Sequence, residues 1–192
     1  EPTSDVTIGV SSSDTGEGTV NTASLTFTDS NWASAQTVTV TGVNDDIDDG
    51  NQAYNVVLAA ATSSDSNYNG VNPDDVSVIN TDNDTKGITV SAISGTTTEA
   101  AGSATFTVVL TSEPTGDVSI SVISSDTGEG TVNTASLVFT DSNWASAQTV
   151  TVSGVNDDID DGDQAYNIVL AAATSSDSNY NGVNPDDVSV TN

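Results

Sequence analysis

The chain has 192 residues, a formal net charge of −27 and one basic side chain, Lys86, with no His, Cys, Arg or Met. That balance excludes nucleic acid and anionic membrane as natural partners, since both require a basic face, and it rules out disulfides and thiolate metal sites. Without His or Cys, and with its only Lys in a polar stretch, the chain also lacks the usual general bases and nucleophiles, so no enzyme is expected. No apolar run approaches the ~18 residues of a membrane span, and no membrane insertion is expected.

Residues 1–80 align without a gap on residues 113–192, with nine differences, among them Ser4/Gly116, Thr26/Val138, Asn51/Asp163, Val56/Ile168 and Ile79/Thr191. Two stretches so similar must share one fold, and the 112-residue offset divides the chain. Residues 1–80 form a module that lacks its first strands, 81–86 an acidic linker (Thr81-Asp82-Asn83-Asp84-Thr85-Lys86), and 87–192 a complete module.

In chain order, the complete module opens with Ile88 and Val90, then Thr96–Glu99 and a turn at Gly102. Phe106, Val108 and Leu110 make the next apolar face, followed after a Pro-Gly turn by Val118, Ile120 and Val122. Leu137 and Phe139, Val150 and Val152, then Tyr166, Ile168 and Leu170 continue the alternation, and Val188 and Val190 end it. Alternation of this period is the mark of half-buried strands. Seven short strands in about 106 residues, with turns rich in Gly, Asn, Asp, Ser and Pro, predict an all-β chain of tandem immunoglobulin-like sandwiches with Greek-key connections. The first copy, lacking two strands, is expected to expose an apolar groove and unpaired backbone. Either preceding chain fills that groove, or a neighbouring identical subunit donates strands and the protein is a self-assembling filament.

Between two of these strands lies Asn156–Asp163, N-D-D-I-D-D-G-D, with its earlier copy Asn44–Asn51, N-D-D-I-D-D-G-N. Five carboxylates within eight residues repel one another unless a cation sits among them. Calcium takes six to eight oxygen ligands from such loops, so Asp157, Asp158, Asp160, Asp161 and Asp163, and in the first copy Asp45, Asp46, Asp48, Asp49 and Asn51, are the expected donors. Gly50 and Gly162 let the backbone turn sharply. The spacing is not that of an EF-hand. In the linker, Asp82 and Asp84 form a second candidate site, and Asn83 begins an N-x-T sequon that could carry sugar. The acids of the two S-D-T-G-E-G turns, Asp14, Glu17, Asp126 and Glu129, read as surface charge. Trp32 and Trp144 hold equivalent positions; as stacking platforms they would make a glycan-binding module, as strand-end residues they would cap the core edge, which is the favoured reading. Tyr54, Tyr166, Tyr68 and Tyr180 read as packing residues.

The T-T-T-E-A-A-G-S-A-T-F-T-V-V-L opening, the T-G-V-N-D-D-I-D-D-G-D-Q-A-Y centre and the V-S-V-I-N-T-D-N-D end together resemble Calx-beta repeats. The resemblance implies an immunoglobulin-like sandwich that binds calcium at one end and recurs in tandem in large secreted bacterial surface proteins. It nominates Glu99 from the early strand, Asp157, Asp158, Asp160 and Asp161 from the acidic loop, and Asp82 and Asp84 from the end of the last strand. The expected role is a non-enzymatic, extracellular, calcium-binding extender of an adhesin or matrix fibre.

Overall fold

The computed structural model describes residues 1–192. It contains strands and turns but no helix, and divides into two compact units, one of Glu1–Asp45 with Asp49–Asn83, the other of Asp46–Asp48 with Asp84–Asn192.

The first unit contains β1 (Val6–Ser12), β2 (Gly18–Val20), β3 (Ser24–Phe27), β4 (Val40–Gly42), β5 (Gln52–Leu58), β6 (Thr62–Ser63) and β7 (Val76–Asn80). One sheet runs β3-β1-β5-β7, with β6 also on β1; the other is the two-stranded pair β2-β4. The second unit contains β8 (Ile88–Val90), β9 (Ser103–Leu110), β10 (Val118–Ser124), β11 (Gly130–Val132), β12 (Ser136–Phe139), β13 (Gln148–Gly154), β14 (Ala165–Leu170), β15 (Thr174–Ser175) and β16 (Val188–Thr191). Its sheets run β12-β10-β14-β16, with β15 on β10, and β11-β13-β9-β8. All pairings are antiparallel. Beyond the seven strands legible as apolar alternation, β11 and β15 add short segments whose Gly, Thr and Ser residues give no such pattern.

Apolar residues of both sheets of the second unit meet in one core, where Phe106, Val108, Ile120, Phe139, Val150, Val152, Ile168 and Tyr180 are all but sealed from solvent. Phe106 and Val108 come from β9, Ile120 from β10 and Val150 from β13, so alternate residues of each strand point inward as the pleat requires. Tyr180 closes one end. Its hydroxyl donates to the Ser112 carbonyl (2.7 Å) and accepts the Ser112 backbone N–H (3.1 Å), so this buried oxygen is satisfied. Trp144 packs against the core, as a residue capping its edge would.

The first unit repeats this pattern only in part. Its β1, β3, β5 and β7 keep the registers of β10, β12, β14 and β16, and β2 pairs β4 as β11 pairs β13, Gly18↔Gly42 standing for Gly130↔Gly154. It has no counterpart of β8 or β9. Residues 36–39, equivalent to the paired start of β13, form no strand. The inward side chains suffer accordingly: Ile8, Phe27, Val38 and Val40 are only half-buried.

Candidate metal centre

Glu129 ends the turn between β10 and β11, and Asp157 and Asp161 lie in the loop from β13 to β14. Pairing of β11 with β13, which sets Gly130 opposite Gly154, carries the Glu129 side chain to the mouth of that loop. A carboxylate oxygen from each of the three acids lies within 4.8 Å of the others. Glu17, Asp45 and Asp49 form the same group in the first unit. Oxygens that share one calcium at 2.3–2.6 Å are separated by at most about 4.6–5.2 Å, so both groups span a calcium-sized sphere. The donor set is wholly oxygen, which suits a hard cation.

Local hydrogen bonds hold each element in place. The Val155 N–H donates to the Glu129 carbonyl (3.0 Å). The Asn192 side-chain amide donates to Glu129 Oε2 (3.3 Å) and to the Val155 carbonyl (3.0 Å), so one side chain ties the turn to the loop. In the first unit Asn80 makes the same two bonds, to Glu17 (3.2 Å) and Val43 (2.7 Å). Within the second loop the Ile159 N–H donates to Asp157 Oδ1 (2.9 Å), and Asp158, at φ 64°, takes the left-handed conformation that Asp tolerates better than most residues. Gly162, at φ 74°, turns the chain back toward β14.

Glu99 belongs to the same electrostatic field. Its carboxyl is pushed above the ordinary glutamate value, first by desolvation and then by repulsion from Asp157, Asp161, Glu129 and Asp158. It lines an open cleft with Asp158, Asp160 and Asp163.

The candidate donors therefore separate. Asp157 and Asp161, with Asp45 and Asp49, lie in the tight groups, whereas Asp158, Asp160 and Asp163 face the cleft beside Glu99. Asp46 and Asp48 fall within the second unit, where Asp48 accepts the Lys86 backbone N–H (2.8 Å). Asp82 accepts the Gly50 N–H (2.7 Å), which ties the end of the first unit to its acidic loop. Asp84 lies in the second unit and is half-buried; Asn83 is exposed. Glu17 and Glu129, which read as surface charge in the sequence, stand inside the groups. Their signal is faint: a lone acid between two glycines in an otherwise Ser/Thr turn, just before a short strand.

Two-sheet antiparallel sandwiches define an immunoglobulin-like class of module, here with a three-carboxylate group on the loops of each unit. The Calx-beta domain profile matches residues 18–85 and 81–191, and the chain belongs to that family. Calx-beta domains bind calcium in general and are non-catalytic. No curated protein matches the chain. No helix is long and apolar enough to cross a membrane.

Proposed function

We propose that the chain is a calcium-stabilised structural module of an extracellular protein, working as a stiff extender in an adhesin or matrix fibre. The observation that carries this reading is the recurrence of one three-carboxylate group, in the same place in each unit and braced by the same asparagine. A calcium ion at Glu129, Asp157 and Asp161 would cancel mutual repulsion and fix the β13–β14 loop against the turn before β11. Glu99 and the acids of the cleft add to the negative field that would draw a cation to this end of the unit. The charge of −27 suits a medium rich in screening cations. Extracellular modules commonly bind calcium at about 10⁻⁴–10⁻³ M.

Binding at about 10⁻⁴ M in 10 mM calcium adds roughly 2.7 kcal/mol per site, because the native state alone offers the site. The test is thermal unfolding of the full chain in 10 mM calcium and then in chelator. Calcium should raise the midpoint of the second unit by about 10 °C or more. Substitution of Asp157→Asn together with Asp161→Asn should abolish that rise without changing the midpoint in chelator downward. An equal midpoint with and without calcium would overturn the proposal.

A further inference from the structure

Asn192, the residue after β16, is half-buried, and both ends of its amide are engaged. Its Nδ2 donates to Glu129 Oε2 (3.3 Å) and to the Val155 carbonyl (3.0 Å), while its Oδ1 accepts from Thr97 Oγ1 (3.0 Å). Thr97 is 2% exposed, and its hydroxyl meets that of Tyr166 (3.2 Å), so a buried chain of hydroxyls runs from the core to the amide. A carboxylate and a carbonyl only accept, which fixes the amide with its nitrogen toward the acidic loop. One Gly–Gly rung of the β11–β13 pair makes room for this arrangement. Gly130 lies under Tyr166, and Gly154 lies beside Asn192 Oδ1, where an added Cβ would collide. The first unit is built alike. Gly42, opposite Gly18, leaves the same room for Asn80, which donates to Glu17 Oε2 (3.2 Å) and to the Val43 carbonyl (2.7 Å).

We propose that Asn192, and Asn80 in the first unit, are positioning residues that set the calcium affinity of the three-carboxylate groups. The inference rests on the calcium reading above. Glu129 is the one acid of its group that comes from outside the acidic loop, and the one that is half-buried. Val155 is the residue that leads into that loop. By bonding both, the amide sets the Glu129 side chain against the loop before an ion arrives, so less side-chain freedom is lost when the ion binds. It does this without adding charge. A Lys or Arg in its place would hold the carboxylate more strongly but would offset part of the negative charge that attracts a dication. An ionised carboxylate has about four lone-pair sites, so one amide bond leaves the others for the metal. Thr97 acts one step further back: its hydroxyl holds Oδ1, and its backbone N–H donates to the Thr191 carbonyl (3.0 Å), next to Asn192 in the chain.

The experiment uses the full chain carrying Asp45→Asn, Asp49→Asn and Trp32→Phe, so that calcium binding and Trp144 fluorescence both report the second unit. The rise of the thermal midpoint with calcium concentration gives the affinity, and the midpoint in chelator gives the stability of the metal-free unit. Asn192→Ala should weaken calcium binding by about 10–100-fold. Thr97→Val, which removes the hydroxyl behind the amide, should weaken it by a smaller factor, and Thr97→Ser should restore it. A merely structural role for Asn192 would lower the midpoint equally in calcium and in chelator and leave the affinity where it was. That result, with the parent chain still binding calcium, would overturn the inference and leave the calcium reading standing. So would Thr97→Val and Thr97→Ser binding calcium alike. Absence of calcium binding by the parent chain would overturn both.

Discussion

Phe139 and Phe27 occupy the same position in two copies of one module, yet one is sealed and the other is half-open. Replacing each with Ala should therefore have unequal effects. Phe139 is 0% exposed and packs in a core closed by two complete sheets. Its truncation removes the whole transfer term and leaves a cavity, about 3–5 kcal/mol of destabilisation. Phe27 has already kept part of its ring in water, and its unit has only the two-stranded β2-β4 sheet where the second unit has four strands, so about half that loss is expected and no closed cavity forms. At about 4 °C per kcal/mol for a unit of this size, Phe139→Ala should lower the second unit's midpoint by about 12–20 °C. Phe27→Ala should move the first unit's by half as much or less. Each unit holds one Trp, Trp32 exposed at 47% and Trp144 packed on the core, which provides the assay. In a Trp32→Phe background, fluorescence reports the second unit alone; in a Trp144→Phe background, the first. Equal losses at the two positions would refute the argument, since they would mean the first unit's face is already closed.

Gly130→Ala should destabilise the second unit by about 1–3 kcal/mol, because an added Cβ would run into the Tyr166 hydroxyl, which is engaged with Thr97 (3.2 Å). The same substitution displaces Glu129 next door, so calcium stabilisation should shrink as well; calorimetry in calcium and in chelator separates the two effects. The pH dependence should differ between units. Asp65 is held below its usual value by the backbone N–H groups of Thr3 and Asn67, so its contribution is present above about pH 4 and lost as pH falls through the lowered value. Asp65→Asn should blunt the acid unfolding of the first unit. Glu99 has the opposite sign: its raised value favours the calcium-free second unit at acid pH, below its unfolded value. That advantage disappears as pH rises through the folded value. In chelator, Glu99→Gln should flatten this part of the profile, and a profile unchanged by the substitution would sink the assignment.

Most of the sandwich is visible as alternation, because strands with one buried face must place apolar residues at every second position. Phe106-Val108-Leu110 and Tyr166-Ile168-Leu170 are such runs, and all six residues are buried. β11 could not be seen this way: Gly130, Thr131 and Val132 offer one apolar residue, and the strand exists because Gly130 can lie under the Tyr166 ring, where any side chain would clash. The site was legible for the same kind of reason and to the same extent. Asp157 and Asp161 stand out as local crowding in the sequence. Glu129 lies 28 positions before Asp157, and only the β11–β13 pairing brings them together. Proximity created by topology leaves no local trace. The half-open state of Phe27 follows from the offset between copies, since the counterpart of Gly87–Ser112 is the part of the module that residues 1–80 do not contain.

The near-identity of residues 1–80 and 113–192 also bears on how such a chain is made. During synthesis, residues 87–112 leave the ribosome after the first copy and before the second, and domains generally fold as they emerge. At that moment the strand pair precedes the side chains it will pack against, Ile120, Phe139, Val150 and Val152, which the first copy carries in identical form at Ile8, Phe27, Val38 and Val40. Misassembly between neighbouring copies is the characteristic folding failure of repeat chains, and near-identity of the copies removes the sequence differences that would discriminate against it.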